Sequence, residues 1–541
     1  MDRSGKGTPQ RDTGCDPEPT GTAWMRRTRI VATLGPASFD RIEELVNAGA
    51  SIFRLNFSHG DHAVLTKVIA AIKEIREQRD LAIGILGDLC GPKIRVGRIG
   101  TDDGTIRLVD GETINLKYSE SELGSATTIV TDVAAVVSHL QPEQSVLLED
   151  GKMKIIMQKR ISSVEVRCLI VQGGILLPKK GINVPDLALA LSALTEKDKN
   201  DAAFICQHRL DFIALSFVQR QSDLLELRRH LGECLEDPAD FPWIIAKIEK
   251  PQAVEAIDSI LEVADGIMVA RGDLGVECSL EVVPRLQKEL IAKCNQLGKP
   301  VITATQMLES MIHEATPTRA EVSDVANAIL DGSDAVMLSG ESAAGDYPVA
   351  SVQQMSRICR EAEKMLWDEK TRRNFRVESS ALPKSPAMSV VFSAIVAAET
   401  CNAAGLIVFT QSGMMVCRMR SCDYRTPVFV VTISEALRRR ISLYRGVTAV
   451  ALVQHIETDQ CLYLCEKEAI SRGIFVEGQQ IVFCTGTHDR LLGLSNTIRV
   501  SCVGEASRYA RMQDLWSKAA NHARRTNSEQ SSISSSQQSL H

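Results

Sequence analysis

Short apolar runs alternate with amphipathic stretches along the chain from Arg29 onward. The runs are rich in Val, Ile, Leu and Phe, and the stretches between them repeat apolar residues at helical spacing. This pattern predicts strands that alternate with helices. The predicted strands of this series are 29–33, 51–56, 82–87, 212–217, 243–248, 266–270, 300–304 and 334–338.

The predicted helices lie between these strands. Ser38 is placed to cap the first helix and Gly49 to end it. Eight strand–helix units are typical of a (β/α)8 TIM barrel, a fold whose active site lies at the C-terminal ends of the strands. The helices are expected at 40–48, 61–78, 196–207, 222–232, 251–262, 281–297, 319–330 and 348–366.

The alternation is interrupted after the third strand. Short alternating runs with turns such as Asp110-Gly111 predict a small β-barrel domain, inserted at the barrel mouth where it can act as a lid. A second α/β pattern near the C-terminus predicts a separate domain. The predicted units are a flexible extension at 1–24, the catalytic barrel at 25–91 and 193–371, the lid at 92–192, the C-terminal α/β domain at 372–503, and a flexible Ser- and Gln-rich tail at 504–541.

Composition narrows the class of protein. The chain has 541 residues and a formal net charge of -6, which offers little attraction to nucleic acid or to an anionic membrane. No apolar run approaches the ~18 residues that a membrane span needs. The 15 cysteines form no paired CxxC units, which favours free thiols in a reducing cytoplasm over a zinc site.

The most informative stretch is Trp243-Ile-Ile-Ala-Lys247-Ile-Glu249. Residues two apart on a strand point to the same face, so Lys247 and Glu249 leave one buried strand together. The next strand is followed by Gly272 and Asp273, which adds a second carboxylate. Such a set suits a divalent cation beside a transferring phosphoryl group. A buried ion pair that only joins strands is the alternative explanation.

Polar residues follow other predicted strands as well. Arg54, Asn56 and Ser58 lie on one face of the second strand, and the arginine offers a fork of donors for phosphate. Together these strand ends place polar groups on one rim of the barrel. The remaining rim residues are Asp88, Lys93, Arg95, Thr305, Gln306 and Glu341.

Several motifs resemble those of the pyruvate kinase family, in the family's order, from about residue 27 to about residue 503. Their length makes chance agreement negligible, and only the two ends of the chain fall outside the resemblance. The motifs are Thr33-Leu-Gly-Pro, Phe53-Arg-Leu-Asn-Phe-Ser-His-Gly, Lys247-Ile-Glu, Val269-Ala-Arg-Gly-Asp-Leu-Gly, Ala304-Thr-Gln-Met-Leu-Glu-Ser-Met, Pro317-Thr-Arg-Ala-Glu and Met337-Leu-Ser-Gly-Glu.

The resemblance implies a metal-assisted phosphoryl transfer. In the family, the residues that match Glu249 and Asp273 bind the catalytic Mg²⁺. The residue that matches Lys247 offsets the charge of the transferring phosphoryl group, and the residue that matches Arg54 contacts that group. Mg²⁺ is therefore the implied cofactor, and phosphoenolpyruvate and ADP or ATP are the implied substrates.

The same resemblance assigns roles to further residues. The peptide Arg271-Gly272, with Asp273 and Thr305, is expected to hold the carboxylate of phosphoenolpyruvate. Thr305 is also expected to belong to the proton path from enolpyruvate to pyruvate. Arg95 and Lys180 resemble the lid residues that reach the nucleotide phosphates.

One departure from the family pattern changes the expected cation requirement. Potassium-dependent members bind K⁺ with residues that match Asn56, Ser58, Asp88 and Leu89, near a glutamate whose place Lys93 takes here. A lysine ammonium supplies the positive charge of K⁺, and two cations ~4 Å apart repel. The chain thus resembles the potassium-independent branch, with Asn56, Ser58 and Asp88 as partners of Lys93 and no K⁺ requirement. The alternative is that Lys93 lies in solvent and K⁺ still binds.

The C-terminal domain carries a candidate effector loop. Thr410, Ser412 and Gly413 lie between a strand and a helix start, where hydroxyls and free N–H groups suit a phosphate. The family binds a sugar-phosphate activator in this loop. Met415 replaces its last hydroxyl here, which favours a monophosphate over fructose 1,6-bisphosphate. Arg490, in a later loop, is placed to assist.

These observations predict a Mg²⁺-dependent pyruvate kinase of glycolysis, cytoplasmic and homotetrameric, without a nucleic-acid or membrane partner. A barrel lyase that acts on phosphoenolpyruvate or pyruvate and a non-catalytic regulatory relative are the alternatives. A lyase has no use for a nucleotide clamp such as Arg95 and Lys180, and a non-catalytic relative would be expected to lack residues such as Lys247 and Glu249.

The role of Lys247 can be tested directly. Replacing Lys247 by Met removes the positive charge and keeps most of the side-chain volume. We expect the turnover number to fall by about 10²–10³-fold, the loss typical of a single transition-state donor. Near-normal turnover of Lys247→Met, measured as pyruvate released from phosphoenolpyruvate, would contradict the role.

Overall fold

A computed structural model of the chain describes residues 26–58, 60–185, 192–366, 385–422, 424–451, 458–485 and 496–505. Eight parallel strands form a closed barrel in which strands consecutive in the series pair side by side, and the first strand closes onto the eighth. This confirms the predicted TIM barrel. In chain order, the barrel strands are Arg29–Leu34, Ile52–Asn56, Gly84–Asp88, Phe212–Leu215, Trp243–Ile248, Gly266–Ala270, Val301–Ala304 and Ala335–Leu338.

Helices pack around the outside of the barrel and bury its outward-facing apolar residues. Gly49 ends the first helix in the left-handed conformation, as predicted. The prediction for Ser38 is wrong, because the helix begins at Ile42 and the Ser38 hydroxyl instead accepts the Gly35 N–H at 3.2 Å. The helices are Ile42–Ala48, His62–Arg79, Glu196–Gln207, Gln221–Cys234, Pro251–Glu255, Ile257–Val263, Arg271–Glu277, Val283–Leu297, Arg319–Leu330, Gly340–Ala343 and Pro348–Leu366.

The chain between the third barrel strand and its helix forms a β-domain, as predicted. Its strands pair as a six-stranded sheet and a two-stranded sheet around a separate apolar core. One short helix, Ala134–His139, belongs to this insert. The strands are Ile106–Leu108, Thr113–Tyr118, Thr128–Thr131, Ser145–Leu148, Met153–Ser162, Glu165–Gln172, Gly174–Leu176 and Ile182–Asn183.

The C-terminal domain is a five-stranded sheet flanked by helices. The sheet is parallel except for its last strand, Thr497–Cys502, which pairs antiparallel at one edge. The other strands are Gly405–Phe409, Val428–Thr432, Val447–Ala451 and Gln480–Thr485, and the helices are Pro386–Thr400, Met414–Arg420, Glu435–Ile441 and Thr458–Ser471.

Other predictions lie partly outside this description. The extension at 1–24 falls outside the described residues, as does nearly all of the tail at 504–541. The exact domain boundaries stay predictions. Within the described part of the chain, no helix is both long and apolar enough to cross a membrane. The cysteines that the structure describes are free thiols.

Two arginines dock the C-terminal domain onto the N-terminal end of the barrel. The Arg420 Nε donates to Asp334 Oδ1 at 2.6 Å, just before the eighth barrel strand. The Arg439 Nε donates to Asp211 Oδ1 at 2.6 Å, just before the fourth. Asp211 also accepts from Arg76 of the barrel. The C-terminal domain therefore covers the end of the barrel opposite the predicted active site.

Removing Arg420 tests how strongly this docking stabilises the protein. Arg420→Met leaves the fully buried Asp334 carboxylate without its cation. We expect a loss of about 3–5 kcal/mol in the free energy of unfolding, the usual result of breaking one side of a buried pair. Urea denaturation followed by circular dichroism measures the loss. Arg41→Met, which breaks an exposed pair with Glu44, is the control and should shift stability by less than ~1 kcal/mol.

Candidate active site

Strand alternation places Lys247 inside the barrel. On the fifth strand, Ile245 packs in the barrel interior, whereas Ile244 and Ala246 face the surrounding helices. The period of two then turns Lys247 inward, one layer above Ile245 and at the C-terminal end. The side chain of Lys247 is only 11% exposed, so its charge requires partners inside the protein.

Three oxygen atoms surround the Lys247 ammonium. Its Nζ lies 2.7 Å from Ser216 Oγ, 2.9 Å from Glu249 Oε1 and 3.3 Å from Asp88 Oδ1. Burial by itself lowers the pKa of Lys247, but the carboxylates of Asp88 and Glu249 outweigh burial and raise that pKa above the ordinary value for lysine. Lys247 is therefore a fixed positive charge at neutral pH.

Glu249 is fully buried and only partly satisfied. Its Oε2 accepts the backbone N–H of Phe217 at 2.6 Å. Its Oε1 lies 2.9 Å from Lys247 but accepts no well-directed hydrogen bond from the described residues. Burial and the nearby charge of Asp273 raise the pKa of Glu249 against the opposing effect of Lys247. An underused buried carboxylate oxygen of this kind suits a metal ligand.

Asp273 lies in the first turn of the helix Arg271–Glu277, directly after the sixth strand. Its side chain is 25% exposed, and its Oδ1 lies 3.6 Å from the ammonium of Lys93. Lys93 comes from the start of the insert and lies equally far, 3.6 Å, from Asp150 Oδ1 of the insert. Lys93 thus connects the barrel rim to the inserted domain.

Arg54 and Asp88 form the next part of the site. Arg54 Nε donates to Asp88 Oδ2 at 2.6 Å, and its Nη1 donates to Thr33 Oγ1 at 3.1 Å. Burial acts to raise the pKa of Asp88, but the charges of Lys247 and Arg54 hold it below the ordinary value for aspartate. One buried carboxylate therefore serves two cations.

The seventh strand delivers Thr305 to the same rim. Thr305 and Gln306 both have positive φ, 69° and 53°, an uncommon conformation for residues with a side chain. The Thr305 hydroxyl accepts the Gly272 N–H at 3.0 Å. The Arg271 side chain turns away to Asp324 and to the Thr305 carbonyl, at 2.7 and 2.8 Å. Arg271 therefore secures the Thr305 loop, and only its backbone faces the site.

The structure corrects the predicted partners of Lys93. Asn56 accepts the Ser58 N–H, and Asp88 pairs with Arg54 and Lys247. The ion pairs of Lys93 are with Asp150 and Asp273, as described above. The prediction that Asn56, Ser58 and Asp88 are partners of Lys93 is wrong, because the Lys93 ammonium lies beside two other carboxylates and Asp88 is engaged by two other cations. Leu89, next in the chain, is buried.

The insert brings its predicted nucleotide residues to the mouth of the barrel. Arg95 is bridged to Gly181 and donates to the Lys179 carbonyl at 2.9 Å. Lys180 Nζ lies 2.9 Å from Glu149 Oε1. At the base of the insert, Asn183 donates to Glu277 Oε1 of the barrel at 2.8 Å. Arg95 therefore lies at an isolated bridge and Lys180 just before the strand Ile182–Asn183, whose Asn183 contacts the barrel.

In the candidate effector loop, the hydroxyls accept hydrogen bonds from backbone N–H groups of the same loop. Thr410 Oγ1 accepts the Gly413 N–H at 3.0 Å, and Ser412 Oγ accepts the Met414 N–H at 3.4 Å. Gly413 has φ 77° and precedes the helix Met414–Arg420. Arg490 lies outside the described residues. The effector site stays a prediction.

Sequence reasoning missed two residues and misjudged one. Ser216 and Phe217 directly follow the fourth strand and contact Lys247 and Glu249. The available signal was their place at the end of the predicted strand 212–217, because polar residues at the ends of other predicted barrel strands belong to the site. Glu341, predicted on the rim, is fully buried and accepts the N–H groups of Leu308 and Ser339, which is a structural role.

Fold and site together define a class of protein: a barrel enzyme with an inserted lid and an appended α/β domain. Its rim gathers two buried cations, Lys247 and Arg54, and carboxylates suited to an anionic, metal-bound substrate. No group of three or more His, Cys, Asp or Glu in the described ranges could hold a metal on its own. A metal here would need Glu249 and Asp273 plus ligands from substrate or water.

Comparison with known proteins gives the family. The family model "Pyruvate kinase, barrel domain" matches residues 25–352, and "Pyruvate kinase, alpha/beta domain" matches residues 388–501. A pyruvate kinase of Bacillus licheniformis is 40% identical over 501 residues, which cover 92% of this chain and 83% of the relative. Pyruvate kinase 2 of Synechocystis sp. is 39% identical over 482 residues, which cover 88% and 79%.

A solved structure agrees with these relatives. The crystal structure of a pyruvate kinase from Cryptosporidium parvum matches with a TM-score of 0.81 and 33% identity, and the match covers 88% of this chain and 96% of that one. The chain belongs to the pyruvate kinase family and is a phosphotransferase. This confirms the predicted resemblance and disfavours the lyase and non-catalytic alternatives.

Asp88→Asn tests the charge balance of the site. The amide keeps the shape but leaves Arg54 and Lys247 with one carboxylate fewer, so we expect a lower melting temperature at pH 7. The lowered pKa of Asp88 sets the pH dependence. The carboxylate's contribution is complete above about pH 4, the ordinary pKa of aspartate, and is lost as pH falls through the lower folded-state pKa. A melting difference that stays constant from pH 7 to pH 3 would contradict this account.

Proposed function

We propose that this enzyme transfers the phosphoryl group of phosphoenolpyruvate to ADP, giving pyruvate and ATP, as in glycolysis. The observation that carries the proposal is the buried Lys247 ammonium, held between Glu249 and Asp88 with Arg54 beside it at the barrel rim. Phosphoryl transfer depends on positioned positive charge more than on covalent chemistry, and this rim supplies such charge.

Mg²⁺ fits between Glu249 and Asp273. Glu249 Oε1 is buried without a well-directed hydrogen bond, and the charge of Asp273 acts on the same carboxylate. Two carboxylates with substrate oxygens and water are the usual environment of this ion. When bound, Mg²⁺ supplies positive charge to the oxygens of the substrate. Lys247, held 2.9 Å from Glu249, would direct its positive charge to the phosphoryl group.

The chain's other residues bind and orient the substrate. Arg54, fixed by Asp88 and Thr33, offers its remaining donors to the phosphoryl oxygens. The Gly272 backbone and the Thr305 hydroxyl, 3.0 Å apart, lie where the carboxylate end is expected. The Thr305 hydroxyl also suits proton transfer to the enolate carbon through water.

The nucleotide is assigned to the insert. Arg95 and Lys180 belong to the part of the insert next to the barrel mouth, and closure of the insert would bring them to the ADP phosphates. A homotetrameric assembly and a sugar-phosphate effector near Thr410 and Ser412 remain predictions, as does a cytoplasmic location.

Lys93 supports independence from K⁺. Its ammonium lies 3.6 Å from Asp273, so a fixed cation already lies next to the proposed metal and substrate carboxylates. Asp88, which would be the anionic ligand for K⁺, is engaged by Arg54 and Lys247. Another monovalent cation nearby would add repulsion in a partly buried site.

Pyruvate formation from phosphoenolpyruvate, ADP and Mg²⁺ tests the function, with K⁺ compared against a tetraalkylammonium salt at equal ionic strength. We expect equal rates for the wild-type enzyme. Lys93→Met removes the built-in cation and should become dependent on K⁺. Lys152→Met is the matched control, because Lys152 is a largely exposed lysine of the same insert.

Each outcome of this assay has a separate meaning. A wild-type rate that requires K⁺ would contradict the role of Lys93 but keep the reaction. An absence of pyruvate in both salts, with phosphoenolpyruvate still bound in calorimetry, would contradict the reaction itself.

A further inference from the structure

The fourth barrel strand ends beside the site without a residue that the mechanism above uses. All of its residues, Phe212–Leu215, are buried, and the chain continues directly into Ser216 and Phe217. Both residues lie within hydrogen-bond distance of the catalytic pair, Lys247 and Glu249.

The Ser216 hydroxyl has a defined direction. It donates its one hydrogen to the Leu89 carbonyl at 2.7 Å, and the next acceptor, Asp88 Oδ1, is farther away at 3.5 Å. Its lone pairs therefore face the Lys247 ammonium, which lies 2.7 Å away. Ser216 is 2% exposed, so water does not compete freely for this hydroxyl.

Ser216 differs from the other two acceptors around Lys247. Asp88 is shared with Arg54, and Glu249 is the proposed metal ligand. An ammonium has three N–H donors, and the proposed metal and substrate would compete with it for both carboxylates. Of the three acceptors, the neutral Ser216 oxygen is the one that, among the described residues, pairs with no other cation and is not a proposed metal ligand. It can hold Lys247 in place throughout the reaction.

Phe217 holds Glu249 in place through a backbone hydrogen bond, as Ser216 holds Lys247. Its φ of 57° places it in the left-handed region, which is uncommon for a bulky residue and requires support from its surroundings. In this conformation its backbone N–H donates to Glu249 Oε2 at 2.6 Å. One oxygen of Glu249 is thereby fixed, and the other remains available at the site.

We propose that Ser216 is a positioning residue that aims the Lys247 ammonium at the transferring phosphoryl group. The neighbouring Phe217 N–H orients Glu249 in the same way. This inference rests on the proposed phosphoryl transfer. Ser216 acts through Lys247, and its loss lets the ammonium relax toward Asp88 and Glu249, away from the substrate.

Ser216→Ala tests the proposal by steady-state kinetics in the full-length enzyme. We expect kcat to fall by about 10-fold to 10²-fold, because a small misplacement of a catalytic group is costly. The KM for phosphoenolpyruvate should change by less than about twofold, because the interaction strengthens in the transition state. Ser216→Cys, which keeps the volume but is a weak acceptor, should show the same loss and serves if the alanine variant does not fold.

Making Ser216→Ala in the Lys247→Met variant distinguishes a positioning role of Ser216 from a role in packing alone. In Lys247→Met there is no ammonium to aim, so adding Ser216→Ala should lower kcat by less than about twofold. Ser351→Ala is the matched control, since Ser351 is a buried serine that donates to the Tyr347 carbonyl on a surrounding helix. It should leave kcat unchanged.

The opposite results would overturn the inference. These are an unchanged kcat in Ser216→Ala and Ser216→Cys, a change confined to KM, or equal fold losses with and without Lys247. If Lys247→Met falls below detection, the kcat-against-KM comparison with Ser351→Ala decides. A wild-type enzyme that forms no pyruvate contradicts the proposed function, whereas an active wild type with a fully active Ser216→Ala contradicts only this inference.

Discussion

The buried ammonium of Lys247 is the interaction on which the site depends. An isolated charge inside a protein is strongly disfavoured, so the barrel end must supply opposite charge close by. Asp88 and Glu249 do so at 3.3 and 2.9 Å. Asp88 in turn requires Arg54, and Ser216 completes the set of acceptors. The ends of four strands are joined in this way into one charge-balanced group.

The charged residues at the two ends of the barrel have different roles, domain docking at one end and the candidate active site at the other. At the N-terminal end, Asp334 and Asp211 hold arginines of the C-terminal domain in buried pairs. At the C-terminal end two of the charged side chains are partly exposed. These are Asp273 of the barrel and Lys93 of the insert, which form an ion pair. The fourth strand is flanked by Asp211, which pairs with Arg439, and by Ser216, which accepts from Lys247, so a charged partner lies at each of its ends. Rigid docking on one side thus supports positioned charge on the other.

Local pattern was sufficient to predict much of this molecule. The alternation of apolar runs predicted all eight barrel strands, and the period of two on the fifth strand predicted that Lys247 and Glu249 share a face. These properties depend on near neighbours in the chain, which sequence shows directly. Side-chain direction after the strand ends was less predictable. Arg271 lies within a site motif, yet its guanidinium donates to Asp324, a partner far away in the chain.

Strand periodicity and motif order are encoded locally, so the order of residues was enough to predict the barrel, the family and the chemical identity of the rim residues. The pairing of particular charges depends instead on how distant segments fold together. Lys93 pairs with Asp150 and Asp273 because the insert folds back over the rim. Ser216 became part of the site only because closure of the barrel brings the fourth strand beside the fifth. Contacts between distant segments depend on the closed three-dimensional arrangement, which no local pattern records.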